Sequence, residues 1–519
     1  METGRRAFLH LAGSIVAALL RVRPARARGS TAPPEIHTTT SNFLLGPRGT
    51  RRRTEHERFW THVGLPREDL PALVEPNGLP LLDAVRSYAP ARGFTDASLS
   101  RAELSRLLYF CNGATGRVSD GMTRFDLRAA PSAGALYAGE VYVVVDRVTG
   151  LTPGIYAYSV PEHALVRLRA GAFTHDVHAA VERPGALRGA AVYVLLSNVF
   201  GRYTSRYANR GYRYALIDTG HIGENLRLAA TSAGLSEATE WRFHDTALDR
   251  LLQIDGREEA VCAVHALGRG AVDSPTSSSE RRRLIEVQYV RGEAPLDGGD
   301  LLTRYHAATR LVPGTEQHAA KTQHEGTKFE LAVPASDAAL RSRTSVETSI
   351  RKRRSPDRFV ERPIERGELE FVAALARGTG ALRRASGVDL HVVVHRVRDL
   401  EPGLYGFDAG GRLERVRSGN LRDSLVRACR GQKNAGRAAA GFAVSGRLDA
   451  RTSALGDRGY RDLLLDAGAI GQRVYLAAEA QGLAARNLAA FTDRKLNDLL
   501  GLDGRRRAVL HLTMLGVAS

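Results

Sequence analysis

Residues 130–137, Ala-Pro-Ser-Ala-Gly-Ala-Leu-Tyr, make up a small, glycine-containing segment directly before an apolar run. Because its side chains have little bulk, its backbone N–H groups could closely approach a flat or anionic ligand. The pattern is equally typical of a turn that leads into a strand, and both interpretations stay open on these residues alone. The candidate ligand-binding residues are Pro131, Ser132, Ala133, Gly134, Ala135 and Leu136.

Motifs of several other chemistries are absent from the sequence. It contains no Gly-x-Ser-x-Gly nucleophile, no His-Glu-x-x-His zinc motif, no phosphate loop and no dinucleotide fingerprint. Three scattered cysteines, Cys111, Cys262 and Cys429, exclude a disulfide framework and a cysteine-rich metal site. We therefore expect no metal.

Length and composition indicate an ordinary globular protein with more than one domain. The chain has 519 residues, of which 43% are hydrophobic and 25% charged, which excludes overall disorder, collagen and a polytopic membrane protein. The formal net charge of +18 fits a nucleic-acid partner, an anionic surface or an arginine-rich host composition. Because the arginines are spread along the chain without interleaved aromatics, nucleic acid is a weak candidate.

The N-terminus has the features of an export signal. Arg5 and Arg6 precede an apolar run over residues 9–20, and residues 24–27 supply a small-x-small cleavage site. The run is shorter than the roughly 20 apolar residues that a spanning helix needs, and the basic start resembles a twin-arginine signal. We therefore expect residues 1–28 to direct export to the periplasm, or to tether the protein to the membrane if the signal is not cleaved.

An internal repeat sets the domain organisation. Residues 210–235 return as residues 458–483 with 14 of 26 positions identical, at an offset of 248. Residues 243–261 return at the same offset from Phe491. At this period a duplication means two globular units of roughly 200 residues and not a solenoid.

Each unit is predicted to mix helices and strands in an α+β fold. The apolar run Val141–Val145 and the alternating residues 155–158 predict a hairpin of buried strands. The apolar periodicity of residues 210–235, ended by Gly234, predicts a buried central helix. The predicted segments are an export signal over 1–28, an N-terminal extension over 29–80, a first unit over 81–268, a linker with a short helix over 269–344, and a second unit over 345–519.

The second unit lacks part of the first. Phe94 and Val143 are 49 positions apart, whereas the matching Phe359 and Val392 are 33 apart. The missing 16 residues fall in the interval that holds residues 130–137 of the first unit. Because a structural turn would usually be kept in both copies, this loss favours ligand binding as the role of the segment.

Four motifs of the first unit, in this order, resemble the nitroreductase superfamily. They are PSAGALY at 131–137, LTPGIYAY at 151–158, the segment 207–235 and FHDTALDRLLQIDG at 243–256. They look most like the branch of SagB-type and thiazoline-oxidase-type dehydrogenases, and the second unit shows a weaker match over residues 353–516. Residues 305–310 also resemble the short element that leads into such domains.

The resemblance implies a fold, a cofactor and an arrangement. Members of this family have a sheet flanked by helices, depend on FMN, and dimerise so that the flavin lies at the subunit interface. The two units of this chain are therefore expected to form an intramolecular pseudodimer with flavin between them.

The family's flavin-phosphate motif matches the second unit best, with its second basic residue displaced by one position. The matching residues are Arg353, Arg354, Ser355 and Arg358. The planar guanidinium of arginine suits phosphate, although a solvated basic run is the alternative interpretation. Since the family takes the proline-serine loop from the opposite subunit, the mirror site would combine Arg86, Ser87 and Arg92 of the first unit with a deleted loop. We therefore expect one FMN per chain.

Azoline-dehydrogenase members carry a Lys-Tyr pair shortly before the central helix, where this chain has Arg206 and Tyr207. Arginine stays protonated at ordinary pH and cannot act as a general base, so azoline oxidation by that mechanism is disfavoured. Tyr207 could still donate or accept a proton, although packing is the alternative role for a tyrosine in this aromatic stretch. We interpret His221, at the start of the central helix, as a hydrogen-bonded structural residue.

Together these features predict an exported, FMN-dependent oxidoreductase that acts on a small-molecule or peptide substrate. Because NAD(P)H is not expected outside the cytoplasm, dehydrogenation of a substrate is favoured, with an electron acceptor that the residues do not identify. The alternative is a flavin-free pseudoenzyme that serves as a binding or scaffold module, prompted by the degenerate motifs of the second unit.

Overall fold

The computed structural model describes residues 37, 62, 64–73, 78–119, 124–270, 306–311, 343–378, 387–408 and 410–519. The predicted export signal, most of the predicted linker and Tyr305 lie outside the described residues. Residues 306–309 are helical, in line with the short helix expected in the linker. Over the described ranges, no helix is long and apolar enough to cross a membrane.

The first unit contains a seven-stranded sheet, a separate hairpin and six helices within the described ranges. In chain order they are β1 (Arg67–Asp69), α1 (Leu81–Ser87), α2 (Arg101–Asn112), β2 (Ala114–Ser119), β3 (Arg124–Arg128), β4 (Gly139–Val145), β5 (Gly154–Ser159), β6 (Ala164–Ala170), α3 (Thr174–Ala180), β7 (Val192–Val199), α4 (Phe200–Tyr207), α5 (Gly211–Ser232), β8 (Ser236–Glu240), α6 (Asp245–Leu252) and β9 (Glu259–Gly268).

The second unit repeats this order with fewer elements. They are α7 (Val346–Lys352), β10 (Phe359–Val360), α8 (Arg366–Arg377), β11 (Val388–Val394), β12 (Gly403–Phe407), β13 (Leu413–Ser418), α9 (Arg422–Ala428), α10 (Asn434–Arg437), β14 (Ala440–Arg447), α11 (Leu448–Leu455), α12 (Arg458–Ala480), β15 (Ala484–Asn487), α13 (Asp493–Leu500) and β16 (Arg507–Ala518).

The two sheets have the same antiparallel topology. The first runs β1-β6-β5-β4-β7-β9-β8, and the second runs β10-β16-β14-β11-β12-β13 with β15 also paired to β16. Tyr142 pairs with Ala157 in the expected hairpin of β4 and β5, and the matching β11 and β12 pair Val392 with Tyr405. Two tandem α+β units with sheets and helices are thus confirmed.

The central helices α5 and α12 lie against each other at the interface between the units. A Cβ atom on Gly220 would lie 2.1 Å from the Leu465 carbonyl oxygen, and one on Gly468 would lie 2.0 Å from the Ile217 carbonyl oxygen. Gly220 and Gly468 are 248 positions apart, so they are related by the pseudosymmetry of the repeat. Only glycine permits this close contact, which confirms the expected intramolecular pseudodimer.

One hydrophobic core extends across both units. Its fully buried residues include Tyr212 and Leu216 from α5 together with Leu464 and Leu476 from α12. The central helix α5 is buried on nearly all sides because it contacts its own sheet on one face and α12 on another. It ends where predicted, since Gly234 has a left-handed backbone (φ 68°) directly after the last turn.

Arginines of the repeated Arg-Gly-Tyr-Arg segment reach from the first unit into the second. Arg210 and Arg213 donate to the buried Asp493 carboxylate at 2.9 and 2.7 Å, and the Arg210 guanidinium lies 4.5 Å from the centre of the Phe491 ring. Burial alone would raise the pKa of Asp493, but the two guanidinium groups hold it well below its usual range.

The mirror contact ties the second unit to the first. Arg458 and Arg461 both donate to the buried Asp245 carboxylate, and Arg458 lies 4.4 Å from the centre of the Phe243 ring. These positions are the counterparts of the first set at an offset of 248. The repeated motif therefore forms two reciprocal sets of ion pairs between the units, those of Asp493 and those of Asp245, which together we call the reciprocal clasp.

The deletion in the second unit removes the β2–β3 hairpin and the loop that follows it. In the first unit 26 residues separate α2 from β4, whereas in the second unit 10 residues separate α8 from β11. The first unit consequently presents a hairpin and a loop, at residues 114–137, that have no counterpart among the described residues of the second.

Candidate active site

The segment Pro131–Leu136 folds as a tight loop in front of β4. Residues 133–135 form one 3₁₀ turn in which Gly134 and Ala135 have φ angles of 65° and 53°. Tyr137, directly after the loop, has φ 48°. Left-handed backbone is unfavourable for alanine and tyrosine, and such strain persists where the surroundings enforce it, often at functional sites.

Most backbone N–H groups of this loop bond within the protein. Ala135 N donates to Ser132 O at 3.1 Å, Leu136 N to Ala133 O at 3.4 Å, and Tyr137 N to Ser132 Oγ at 2.9 Å. For Gly134, which is exposed, no N–H acceptor exists within the described ranges. The Ser132 N–H group also has no acceptor within these ranges, so the loop offers a ligand at most two amides, which are not adjacent as in a nest.

Buried side chains of α4 and α5 make hydrogen bonds to the loop. Ser132 Oγ lies 2.9 Å from Tyr203 Oη, and the Ala133 N–H group donates to Asp218 Oδ2 at 3.1 Å. Tyr203 Oη also donates a short hydrogen bond to Asp218 Oδ2. Sequence reasoning missed Tyr203 and Asp218, because neither stands in a motif that sets it apart from the packing residues of a buried helix.

Arg206 and Tyr207 lie directly against this loop. A Cβ atom on Gly134 would lie 2.4 Å from Tyr207 Oη and 3.0 Å from Arg206 Nη1. Arg206 Nη1 is 3.5 Å from the Gly134 carbonyl oxygen. The structure thus brings both predicted catalytic residues to the predicted loop, and glycine at 134 leaves the space that they need.

Ala208, a residue with a strained backbone, ends α4, which is the helix that carries Arg206 and Tyr207. Ala208, directly after Tyr207, has φ 48° and ψ −141°. Its counterpart at an offset of 248 is Gly456, which has nearly the same backbone angles (φ 59°, ψ −160°). Burial raises the pKa of Tyr207, so its hydroxyl stays protonated at neutral pH.

Arg353 reaches from the second unit to the residues that precede the loop. Its Nε donates to Ala129 O and its Nη2 to Arg128 O, both at 3.1 Å. The guanidinium also lies 5.3 Å from the centre of the Tyr475 ring. A residue of the phosphate motif therefore contacts the backbone just before the loop, at the point where the two units join.

The other residues of that motif are differently placed. Arg354 donates to Thr115 O in the β2–β3 hairpin at 2.6 Å. The Ser355 hydroxyl is 2.8 Å from Tyr475 Oη. Arg358 is exposed, and within the described ranges only its carbonyl oxygen is bonded, by Ser519 N at 3.0 Å. Arg353, Arg354 and Ser355 thus belong to this junction, whereas the Arg358 side chain makes no contact with it.

Arg86 and Ser87 lie at the exposed end of α1. Leu81 N donates to Thr344 O and Val346 N donates to Leu79 O, both at 3.0 Å, so α1 and α7 begin at related positions. In this register Arg86 corresponds to Arg351, and the counterpart of Arg353 is Tyr88.

The mirror position is the other junction of the two units, where residues related to Arg353 and Tyr475 by the repeat lie. There the arginine and the tyrosine have exchanged places. Arg353 and Tyr475 form one cation–π pair, and Tyr88 and Arg227 form the related pair with the guanidinium 5.4 Å from the ring centre. Arg227 and Tyr475 are 248 positions apart. In the mirror position the positively charged side chain therefore comes from the central helix α5, whereas at the first junction it comes from the phosphate motif.

Acidic side chains neutralise this exchanged arginine. Arg227 pairs with buried Glu224, and Tyr88 Oη donates to Glu237 at 2.9 Å. His265 lies 2.7 Å from Glu237. Burial alone would raise the pKa of Glu237, but the His265 hydrogen bond and the Arg227 charge lower it to about 2. The mirror position is thus filled by an ion-paired cluster, in which Glu224 also accepts from Arg473 at 2.9 Å, so its cations are already paired with carboxylates.

The donors at the junction of loop and arginines fit a phosphate-bearing cofactor. Within the described residues no acceptor takes the Nη1 group of buried Arg353. The exposed Gly134 N–H and the Ser355 hydroxyl are further donors. Charge-assisted arginine bonds and a hydroxyl suit the phosphate of FMN, whereas over the described ranges no group of three His, Cys, Asp or Glu could hold a metal ion.

His221 is a buried residue of the interface. Its Nδ1 is 2.7 Å from Ile217 O, and its Nε2 is 3.1 Å from Asn487 Nδ2 of the second unit. Burial holds the pKa of His221 well below its usual range, so it is neutral. These contacts agree with the structural role that we expected.

The His-x-x-Thr element occurs twice, and sequence reasoning found only one copy. His306, before the second unit, packs on the first unit with its ring 5.0 Å from Phe200. His37, before the first unit, packs on the second unit with its ring 6.1 Å from Tyr460. The spacing His-x-x-Thr at 37–40 and 306–309 was the signal that could have identified both.

The chain matches known proteins over both units. A sequence model of the nitroreductase family matches residues 86–269 and 350–517. A protein of Methanocaldococcus jannaschii that carries a nitroreductase name is 29% identical over 174 residues, which are 34% of this chain and 84% of that protein. The trifolitoxin-processing protein TfxB of Rhizobium leguminosarum bv. trifolii is 28% identical over 215 residues, and the match spans 57% of its length and 39% of this chain.

A solved structure from Anabaena variabilis, described as a nitroreductase, has the same fold. It superposes with a TM-score of 0.72 at 24% identity, over 94% of this chain and 100% of that chain. The tandem arrangement of the two units is therefore shared along nearly the whole length of both proteins.

Proposed function

The chain belongs to the nitroreductase family, and from that premise we propose that it is an FMN-dependent oxidoreductase with one FMN per chain. The flavin would bind where the loop Pro131–Leu136 of the first unit meets Arg353, Arg354 and Ser355 of the second. The observation that carries this proposal is the pair of hydrogen bonds from Arg353 to Arg128 O and Ala129 O, which joins the phosphate motif to the backbone just before the loop.

The asymmetry of the units supports a single site. The loop exists only in the first unit among the described residues, and in the mirror position Tyr88 replaces the arginine. Glu224 and Glu237 pair with Arg227 there, and Glu224 also pairs with Arg473. A phosphate would find the arginines already paired with carboxylates and no loop at that position, so binding there is disfavoured.

Bound FMN would supply two-electron redox chemistry that no side chain can supply. Arg353 and Ser355 would bind its phosphate, and glycine at position 134 leaves the space that the Arg206 and Tyr207 side chains occupy beside the loop. Arg206 remains a cation at any ordinary pH. Tyr207, with its pKa raised by burial, can donate a hydrogen bond to the substrate or to the cofactor.

The names of two relatives bear on the substrate. TfxB is named as a trifolitoxin-processing protein and TfxC as a trifolitoxin operon protein, and this chain covers little more than half of either. We propose a small-molecule or peptide substrate on this basis. Export through the predicted N-terminal signal would place the reaction in the periplasm, with dehydrogenation of the substrate as the favoured direction.

The flavin spectrum of the gently purified protein and of three variants tests the proposal. Wild type should be yellow, while Arg353→Ala and Ser355→Ala should lose flavin during gel filtration. Arg86→Ala is the matched control and should keep it. Thermal melts of all four proteins show whether the buried Arg353 variant is folded. A colourless wild type would favour the scaffold alternative, and loss of flavin from the Arg86 variant alone would place the cofactor in the mirror position.

A further inference from the structure

The candidate site lacks an evident proton acceptor. A dehydrogenation removes a hydride and a proton from the substrate, and the proton must go to the protein or to water. Arg206 is permanently protonated, and burial raises the pKa of Tyr207, so neither residue of the pair accepts a proton at neutral pH.

A chain of hydrogen bonds leads from the loop into the interior. Ser132, which is partly exposed, lies 2.9 Å from Tyr203 Oη. Tyr203 is fully buried and donates to Asp218 Oδ2 by a short hydrogen bond. Asp218 is 5% exposed. Three oxygen atoms in contact thus connect the ligand-facing loop with one buried carboxyl group.

We propose that Asp218 is the terminal proton acceptor of this site and that it acts through Tyr203 and Ser132. The proposal rests on the function proposed above, because the substrate loses its hydride to FMN. The substrate proton bonds to Ser132 Oγ, the Ser132 proton passes to Tyr203 Oη, and the Tyr203 proton passes to Asp218 Oδ2. Each hydroxyl gains one proton and loses one, so only Asp218 changes its protonation state.

The surroundings of Asp218 suit it to this role. The ionisable groups that face it are Tyr203 and Tyr207 from α4, and no arginine, lysine or histidine of the described ranges forms an ion pair with it. Burial raises the pKa of Asp218 to about 7, against hydrogen bonds from Tyr203, Ser132 and Ala133 that lower it. A base with a pKa near the working pH is the effective kind.

Asp493 provides a contrast at equal burial. Two guanidinium groups hold the pKa of Asp493 well below its usual range, so it stays ionised and cannot serve as a base. The absence of a paired cation among the described groups around Asp218 is thus what leaves its proton exchangeable at neutral pH.

The second unit keeps the carboxyl group and loses the connection. Asp466 is the counterpart of Asp218 at an offset of 248, but Arg451 stands where Tyr203 would be. Arg451 donates to Asp462 at 3.2 Å, and the segment that would carry the serine is deleted. The relay therefore accompanies the ligand loop and is confined to the unit that has one.

Infrared spectroscopy of the purified holoprotein tests the protonation of Asp218. Wild type should show a protonated-carboxyl C=O band that titrates near pH 7, and Asp218→Asn should lose it. The matched control Asp466→Asn, from the same position of the other central helix, should keep it. Persistence of this band in Asp218→Asn would overturn the assignment.

The pH dependence of the FMN reduction potential tests the link to the cofactor site. In wild type and Asp466→Asn, the plot of potential against pH should change slope near pH 7. The change should be absent in Asp218→Asn and weakened in Tyr203→Phe, which keeps the ring and serves if the Asp218 variant does not fold. A plot that bends identically in all four folded, yellow proteins would refute the relay alone, whereas colourless wild type would refute the proposed function and the relay with it.

Discussion

Replacement of Asp493 by Asn tests whether the reciprocal clasp holds the two units together. The substitution keeps the size of the side chain and removes its charge, so Arg210 and Arg213 are left in the interior without their anion. Both donate to this carboxylate, at 2.9 and 2.7 Å, and Asp493 is 2% exposed. Charge removal therefore takes from two buried guanidinium groups the carboxylate that both of them contact.

The size of the effect follows from this burial. Breaking a buried ion pair by removing one partner costs about 3–5 kcal/mol. At roughly 2–4 °C per kcal/mol, the melting temperature should fall by roughly 6–20 °C. Asp498→Asn on the same helix is the control, because that side chain is exposed, and its melting temperature should change by less than about 2 °C.

The dependence on pH gives a second measure of the same contact. Folding lowers the pKa of Asp493, so its ion pairs stabilise the protein above the unfolded-state pKa of about 3.9. This contribution is lost as the pH falls toward the folded-state value. The difference in unfolding free energy between wild type and Asp493→Asn, measured by urea denaturation, should thus be smaller below pH 4 than at pH 7. Equal small losses in the Asp493 and Asp498 variants at pH 7 would refute the clasp.

Three further substitutions probe the site and its mirror. Gly134→Ala would place a Cβ 2.4 Å from Tyr207 Oη in a left-handed backbone, so the FMN dissociation constant, measured by fluorescence titration, should rise about tenfold or more; an unchanged constant would contradict the close approach. Ala208→Gly should raise the free energy of unfolding in urea by about 1 kcal/mol because it relieves strain at φ 48°, and a loss of stability would mean that the strain is absent. Glu237→Gln should lower the melting temperature while FMN absorbance per chain stays constant, since the carboxylate neutralises Arg227 only in the mirror position; lost absorbance would show that the mirror position binds flavin.

The elements that depend on local pattern could be predicted from the sequence. The hairpin of β4 and β5 follows from its apolar strands and Pro-Gly turn, and the central helix follows from its apolar periodicity and Gly234. The pseudodimer could be expected because a duplicated domain whose relatives dimerise can bury the same surface within one chain. In each case the information lies within a short stretch of residues or in the offset of 248.

The pairing in the mirror position was missed because it depends on a change of register between the two units. Before the deletion the units are offset by 265, as Phe94 and Phe359 show; after it the offset is 249 at Val143 and Val392, and 248 from Arg210 onwards. An alignment based on basic residues therefore pairs Arg86 with the phosphate motif, whereas the structure pairs Tyr88 with Arg353. The offset of 265 would have paired Tyr88 with Arg353, but the structure is needed to show that Tyr88 contacts Arg227 as Arg353 contacts Tyr475.

The buried relay was also beyond sequence reasoning. Tyr203 and Asp218 have the spacing of ordinary packing residues, and their importance comes from contact with a loop some 70 to 85 positions away in the chain. Nothing in their local sequence indicates that contact. Hydrogen bonds between distant segments are set by the packing of α4 and α5 and appear only in three dimensions.

The most direct test of the central claim is the number of FMN molecules per chain. Flavin released from the gently purified, full-length protein is quantified by absorbance and divided by the protein concentration from amino-acid analysis, after saturation with FMN and gel filtration. A single site at the junction of the loop and Arg353 predicts one FMN per chain. Two per chain would contradict the account of the mirror position, and none would contradict the proposed function itself.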